Sequence, residues 1–153
     1  ISLTGASDLI GQSEGTLYVE LDWRSTTGTG QYLLLASDGT TDNMVLIYNT
    51  SDPELRMYVQ ANGGSPEVNQ GVDSSSFSSI QKIAFAYANG DQELYRNGSS
   101  VSTATASLTA LGTLTDIDLG QSAIATVQAN MWIRAVALYK TRLTDDQLAD
   151  LTS

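Results

Sequence analysis

The chain has 153 residues, a formal net charge of −10 at pH 7, and neither cysteine nor histidine. The acidic charge excludes the basic surface that nucleic acids and anionic membranes require, and the missing residues exclude disulfide frameworks, thiolate sites and histidine-dependent catalysis. Hydrophobic residues make up 41% and charged residues 16% of the chain, which predicts a single folded domain over residues 1–153. No apolar run approaches the length of a membrane span, so no membrane insertion is predicted.

The first predicted elements are a lead-in segment and a strongly alternating strand. The chain begins with Ile1 and not with methionine, which indicates a processed product or a piece of a longer protein, and residues 1–13 are interpreted as a lead-in segment or first edge strand. Residues 16–23 alternate between apolar and polar side chains, as a half-buried strand does. One face carries Leu17, Val19, Leu21 and Trp23, and the opposite face carries Tyr18, Glu20 and Asp22.

A hairpin and a further alternating strand are predicted next. Residues 31–36 form a continuous apolar run, which is typical of a strand covered on both faces. Asp38 and Gly39 predict a tight turn that leads into a returning strand over residues 43–48. A turn at residues 49–53 then leads to a strand with two distinct faces. Its inward residues are Leu55, Met57, Val59 and Ala61, and its outward residues are Arg56, Tyr58 and Gln60.

Short strands and tight turns continue through the second half of the chain. Residues 82–87 alternate, and Asn-Gly pairs at 89–90 and 97–98 bracket a short strand over residues 91–96. Residues 117–121 predict another short strand. Strands at such regular spacing, with no helical period before Thr144, indicate a two-sheet sandwich or a barrel.

The last two dozen residues combine a strand with a short helix. Residues 131–139 indicate a buried strand, whose apolar pattern slips between Ile133 and Val136, and a β-bulge would absorb that slip. Thr144 and Gln147 have the spacing of a capping box, which predicts a helix of one to two turns over residues 144–151.

This C-terminal strand and helix resemble those of the concanavalin A-like lectin/glucanase domains of the laminin-G and pentraxin type. The other segments that carry the resemblance lie at residues 14–20, 37–39, 82–87 and 94–98. The resemblance covers residues 14–153 and is closest to the domains found in bacteriophage tail-fibre and other virion structural proteins. It implies an all-β fold, a two-sheet antiparallel jelly-roll sandwich with one short C-terminal helix. This fold hosts enzymes, lectins and structural modules, so the function depends on particular site residues.

Two carboxylates on one strand face raise the question of catalysis. Some glycanases of the fold that the chain resembles carry a Glu-x-Asp-x-x-Glu strand, in which the two glutamates act as nucleophile and general acid. Glu20 and Asp22 match the beginning of that pattern, but Ser25 stands at the position of the second glutamate. The resemblance therefore implies no catalytic residues, Glu20 and Asp22 are interpreted as solvated carboxylates, and the chain is predicted not to be an enzyme.

Calcium is the one cofactor that the sequence leaves open. Many relatives of the resembled type hold Ca²⁺ with loop carboxylates and carbonyls, and Asp38, Asp42 and Asn43 cluster in one hairpin that offers such oxygens. Asp and Asn also favour turns because their side chains bond to their own backbone. The sequence therefore assigns no cofactor, and these three residues are only weak calcium candidates.

Sugar binding requires aromatic faces for stacking and planar polar groups for the hydroxyls. Two strand faces offer such sets, and the alternative for each is an ordinary exposed sheet face or one covered by a neighbouring subunit. The predicted glycan-binding residues are Arg56, Tyr58 and Gln60, and the second set is Tyr18, Glu20 and Asp22. Trp23 and Trp132 are interpreted as core or sheet-edge residues.

The predicted function is that of a non-catalytic virion surface module, a phage tail-fibre tip domain that binds host-surface glycan. The alternative is a purely structural, capsid-decoration or assembly module of a virion, and a lesser one is an extracellular lectin-like domain of bacterial origin. The predicted partners are host-surface glycan and other virion proteins, with a homo-oligomer inside the particle, no nucleic acid and a location at the virion surface.

Overall fold

The computed structural model describes residues 1–23, 30–124 and 128–153. Within these ranges the strands, in chain order, are β1 (Ser2–Leu3), β2 (Gly15–Trp23), β3 (Gln31–Ser37), β4 (Met44–Asn49), β5 (Glu54–Gln60), β6 (Val68–Asp73), β7 (Ser79–Ala88), β8 (Asp91–Arg96), β9 (Ser99–Ala104), β10 (Asp116–Leu119) and β11 (Trp132–Tyr139). A 3-10 turn spans Ser7–Leu9, and helix α1 spans Asp145–Thr152.

The described strands form two antiparallel sheets that face each other. The six-stranded sheet has the order β1-β10-β3-β4-β5-β6, and the five-stranded sheet has the order β11-β2-β7-β8-β9. Strand pairs such as β3–β4, β4–β5 and β7–β8 are joined by short turns, whereas β2–β7 and β11–β2 bring together distant parts of the chain. The prediction of an all-β, two-sheet antiparallel jelly-roll sandwich with one short C-terminal helix is confirmed. Residues 1–13 contribute β1 at one rim of the six-stranded sheet, and the single domain over residues 1–153 stays a prediction.

The core lies between the sheets and is built by the inward residues of alternating strands. The predicted inward stripes of β2 and β5 are buried in one cluster together with Ile83, Phe85 and Tyr87 of β7. Each large side chain that is fully buried in this way contributes about 1.5–3 kcal/mol. Tyr87 places its hydroxyl in the core, where it donates to the Gly11 carbonyl oxygen at 2.6 Å, so the lead-in segment is tied to the sandwich.

The connection between β3 and β4 is longer than the tight turn predicted at Asp38 and Gly39. It spans residues 38–43 and is closed by the Asp38 amide, which donates to the Asn43 carbonyl oxygen at 3.2 Å. Gly39 has a φ of +84°, the left-handed conformation that glycine adopts without strain. The Asp-Gly pair therefore predicts the position of the chain reversal correctly, but not the length of the loop. Hydrogen bonds to the Asp38 and Thr40 side chains stabilise a wider loop.

Two strands, β6 and β9, show neither an apolar run nor a clear alternation of apolar and polar residues. Both lie at sheet edges and consist mainly of exposed or half-buried residues. A strand at an edge buries little of its surface, so its sequence need not alternate between apolar and polar residues. This explains why the sequence analysis did not identify them.

The prediction that residues 131–139 form a buried strand is wrong. β11 is the edge strand of the five-stranded sheet, all of its residues are exposed or half-buried, and Trp132 is 67% exposed. The predicted bulge is confirmed, since the register with β2 shifts between Ile133 and Ala135. The intervening residue, Arg134, places its Nε 3.1 Å from Glu20 Oε1.

Helix α1 begins at the predicted capping box. Thr144 Oγ1 accepts from the Gln147 amide at 3.3 Å, and Gln147 Oε1 accepts from the Thr144 amide at 2.9 Å. Leu148 is completely buried against Tyr18 and Tyr95 on the outer face of the five-stranded sheet. Across the described residues, no helix has the length and apolarity needed to cross a membrane.

Candidate functional site

The two sheets differ in what covers their outer faces. Helix α1 packs on the five-stranded sheet, with contacts to β7, β8 and β9. The outer face of the six-stranded sheet instead presents aromatic and polar side chains around a shallow pocket of about 100 Å³. We call this surface the tyrosine face, and its residues are Tyr32, Tyr48 and Tyr58, with Arg56, Gln60 and Asn69 around them and Met44 and Leu46 as the floor.

Strand register brings the three tyrosines together. Tyr32 pairs with Tyr48 across β3 and β4, and the next strand, β5, carries Tyr58 on the same face. The Tyr32 and Tyr48 rings are stacked with centroids 6.0 Å apart, and Tyr48 meets Tyr58 edge to face at 5.8 Å. Aromatic pairs in these geometries are mutually attractive, so the rings hold one another in place before any ligand binds.

Polar groups at the border of the pocket fix the tyrosine hydroxyls. Tyr48 Oη donates to Asn69 Oδ1 at 2.9 Å, Tyr58 Oη donates to Gln60 Oε1, and Gln60 Nε2 donates to the Thr41 carbonyl oxygen at 2.9 Å. Burial raises the pKa of Tyr48 and of Tyr58 above the usual value, so both phenols are neutral at physiological pH. The face therefore offers uncharged hydroxyl and amide groups beside its rings.

Arg56 lies flat across the border between β5 and β6. Its Nε and Nη2 donate to Glu54 Oε2, and its Nη1 donates to the carbonyl oxygen and to Oδ1 of Asn69 at 3.2 and 3.0 Å. Gly71 pairs with Arg56 in the register, and a Cβ at Gly71 would lie 2.6 Å from Arg56 Cγ. A side chain at position 71 would therefore displace the arginine.

The structure places the three predicted glycan-binding residues on one face. Arg56, Tyr58 and Gln60 are all half-buried on the outer side of β5, as their spacing of two residues predicts. Their role as binding residues stays a prediction. Tyr32, Tyr48 and Asn69 were not predicted as part of the site. Tyr48 ends the uninterrupted apolar run Met44–Tyr48, so no alternation in the sequence marks it as outward-facing.

The second predicted set does not form a comparable surface. Tyr18 is only 7% exposed because α1 packs over it, so its ring has no free face for a sugar. Glu20 forms an ion pair with Arg134 and accepts a long hydrogen bond, 3.5 Å, from Tyr18 Oη. Asp22 lies on the same side of the strand and is half-buried. Ser25, on which the argument against catalysis depends, lies outside the described residues.

The calcium candidates are engaged in bonds that shape their own loop. Asp38 accepts from the Thr40 amide, from Thr40 Oγ1 and from Asn43 Nδ2 at 2.9, 2.7 and 2.8 Å. Asn43 Oδ1 accepts from the Asn62 amide at 2.9 Å, while Asp42 is exposed. Burial alone would raise the pKa of Asp38, but the hydrogen bonds from Asn43 and Thr40 lower it below the usual value. In the part of the chain that the structure describes, no three His, Cys, Asp or Glu side chains are grouped to hold a metal ion. No cofactor was predicted, and these three residues stay weak calcium candidates.

A two-sheet jelly roll with one helix-covered face and one open aromatic face is a lectin-like architecture. The chain belongs to the concanavalin A-like lectin/glucanases superfamily, whose Laminin_G_3 family matches residues 2–149. No curated protein matches the chain.

Several solved structures share the fold at low sequence identity. The CBM40 of the IT-sialidase of Ruminococcus gnavus is 20% identical, with a TM-score of 0.73 over 97% of this chain and 87% of that chain. The same CBM40 bound to α2,3-sialyllactose gives 20% identity and a TM-score of 0.69 over 97% and 87%. Domain 4 of AbnA, an extracellular arabinanase of Geobacillus stearothermophilus, in complex with arabinotriose, is 13% identical with a TM-score of 0.70 over 95% and 69%. None of these three structures is of a phage protein, so they give the predicted phage relationship no support, and identities this low establish only the fold.

Proposed function

We propose that this domain is a non-catalytic carbohydrate-binding module that binds glycan on the tyrosine face. The observation that carries the proposal is the triplet of Tyr32, Tyr48 and Tyr58, whose rings are held in fixed orientations beside neutral hydrogen-bonding groups. A pyranose ring has an apolar face that stacks on an aromatic ring and hydroxyls that bond to amides and phenols. The CBM40 structure with sialyllactose and the AbnA domain with arabinotriose support a sugar ligand for a chain of this fold.

The pocket dimensions determine the strength of binding that we expect. Its volume of about 100 Å³ is well below the roughly 300–1,000 Å³ of a typical small-molecule site, so it accommodates part of one sugar residue. Little ligand surface is buried in such a site, and the affinity of a single site is low. Several copies of the domain in one assembly would then supply avidity without any new contact.

Substitution of Tyr58 is the direct test of this site. Tyr58→Ala removes one ring of the triplet, and we expect the affinity for a bound glycan to fall at least about tenfold, which corresponds to about 1.4 kcal/mol. Binding is measured with many copies of the domain coupled to one carrier on a glycan array, followed by calorimetric titration of the glycans that bind.

Tyr58→Phe is the matched control because it keeps the ring and removes only the hydroxyl that bonds to Gln60. We expect this variant to retain most of the affinity. If Tyr58→Ala binds glycan as well as the unsubstituted domain does, the site lies elsewhere on the molecule.

The absence of catalysis is part of the proposal. Glu20, the residue that corresponds to a glycanase nucleophile in the resembled pattern, is paired with Arg134. We expect the domain to release no reducing sugar from a panel of polysaccharides. Turnover that disappears in Glu20→Gln would show that the domain is an enzyme after all.

We also propose that the domain is exposed at the surface of a virion, at the tip of a phage tail fibre. The support is the resemblance of residues 14–153 to phage modules and the charge of −10, which opposes binding to the particle's own nucleic acid. The alternative, a structural or decoration module, would bury the tyrosine face against another subunit. Gold-labelled antibodies against the domain, viewed by electron microscopy on intact particles, test the location.

A further inference from the structure

We infer that the tyrosine face selects neutral glycans and rejects those with a terminal carboxylate, such as sialylated glycans. This inference rests on the proposed function and specifies its substrate class. It runs against the simplest reading of the fold, because the R. gnavus CBM40 has been solved with sialyllactose and shares that fold. At 20% identity, however, two proteins can share a fold and still carry different charges on the corresponding face.

Most of the N–H donors of Arg56 are already engaged within the protein. A guanidinium has five N–H donors, and binding of a carboxylate by arginine characteristically uses two parallel ones. In Arg56 the single Nε donor and one Nη2 donor bond to Glu54, and both Nη1 donors bond to Asn69. One N–H of Nη2 is left by these bonds, so Arg56 offers no parallel pair to an incoming carboxylate.

The local charge around Arg56 also opposes the binding of a carboxylate. Glu54 neutralises Arg56, and the residue opposite Glu54 in the register is Asp73. Asp73 is exposed and, like any aspartate of ordinary or lowered pKa, is ionised at neutral pH; hydrogen bonds from Ser75 lower its pKa. The β5–β6 border of the face is therefore net negative, and a second carboxylate arriving there is repelled.

The other basic side chains that the structure describes lie away from the tyrosine face. Among the described residues, the remaining lysines and arginines belong to the five-stranded sheet or to the segment between it and α1. They are Lys82, Arg96, Arg134, Lys140 and Arg142. Arg142, for example, bonds to Asp91 and Asp145 on that side of the molecule. None of these cations is placed to compensate a ligand charge on the tyrosine face.

Matched pairs of glycans test the inference. The domain is titrated with neutral glycans, with the same glycans carrying a terminal sialic acid, and with the sialic acid methyl esters. We expect the sialylated glycans to bind at least about tenfold more weakly than their neutral partners, and the methyl esters to recover most of that loss. The methyl ester keeps the size of the sialic acid and removes its charge, so it separates repulsion from steric exclusion.

A Glu54→Gln variant provides the protein side of the test. Glutamine keeps a carbonyl oxygen for Arg56 but removes the negative charge, so we expect the preference for neutral over sialylated glycans to shrink at least about threefold. Asp52→Asn, an exposed position in the preceding turn, is the control and should leave the preference unchanged.

The outcomes separate the inference from the proposed function. Equal or tighter binding of the sialylated glycans, or a preference that neither the methyl ester nor Glu54→Gln alters, overturns the inference alone. If no glycan binds, or if binding is indifferent to Tyr58→Ala, the proposed function is wrong and the inference is overturned with it.

Discussion

Gly71→Ala is expected to destabilise the domain by about 2–3 kcal/mol and to abolish glycan binding. A methyl group at position 71 would overlap the carbonyl oxygen of Leu55 on the neighbouring strand and press on Arg56 Cγ. The carbonyl belongs to the backbone and cannot rotate away, so β5 and β6 must separate locally. That separation displaces Arg56 and Asn69, which bond to each other across these two strands at the border of the tyrosine face.

The direction of this change in stability distinguishes a steric clash at position 71 from the intrinsic strand propensities of glycine and alanine. Alanine in a strand is ordinarily more favourable than glycine by about 0.5–1 kcal/mol, so propensity alone predicts stabilisation. The matched control is Gly64→Ala, where the added carbon would meet the Ala61 carbonyl oxygen at 3.3 Å, a contact that a small shift relieves. We expect the control to change stability by less than about 1 kcal/mol in denaturant unfolding. A Gly71→Ala variant as stable as the unsubstituted domain would contradict the close approach of β5 and β6.

Leu148→Ala is expected to lower the free energy of unfolding by about 2–5 kcal/mol, the range for a buried leucine that leaves a cavity. Leu148 is completely buried and joins α1 to Tyr18, Ala84, Ala86 and Tyr95 on the five-stranded sheet. Because a helix of eight residues is too short to be stable alone, its attachment depends on this contact. The loss is measured by urea unfolding followed by circular dichroism.

Asp150→Ala is the control for the helix, since Asp150 is exposed on the same element. Substitutions at such positions change stability by about 0.5 kcal/mol or less. Glycan binding at temperatures where Leu148→Ala is still folded should be unchanged, because the helix and the tyrosine face lie on opposite sides of the sandwich. A Leu148→Ala domain with unaltered stability would show that α1 is not anchored by this residue.

The sequence predicted those elements whose determinants are local. β8 was predicted over residues 91–96 and spans Asp91–Arg96, because the Asn-Gly pairs on either side force the chain to reverse. Asn97 and Gly98 indeed have φ values of +48° and +83°. The capping box likewise depends only on Thr144 and Gln147, which lie three residues apart, and it was predicted correctly. Turns and helix caps can therefore be predicted from neighbouring residues without any knowledge of tertiary contacts.

Only part of the candidate site was predictable from the sequence, because the rest depends on tertiary contacts. Arg56, Tyr58 and Gln60 share a strand, so a period of two places them on one face. Tyr32 and Tyr48 join them only through the register of three strands, and the register of β3 with β4 shifts between Tyr32 and Leu34. Such a shift breaks the alternation of side chains between the two faces of a strand. Because Tyr32 lies within the apolar run over residues 31–36, its outward position was not recognised from the sequence.

The error at β11 has a similar origin. A run of apolar residues ending in Tyr139 suggested burial, but strand order and not composition decides which strand lies at an edge. Trp132, Ile133 and Val136 are partly exposed because nothing in the described sheet pairs with β11 beyond β2.

The bulge at Arg134 also bears on how the molecule behaves when many copies are crowded together. A straight edge strand presents unpaired backbone groups that a second molecule can extend into a continuous sheet, the first step of aggregation. In β11 the ladder is interrupted between Ile133 and Ala135, and a charged side chain projects at the interruption. A neighbouring copy therefore meets an interrupted, charged edge at β11 in place of a continuous template, which disfavours sheet extension along that edge.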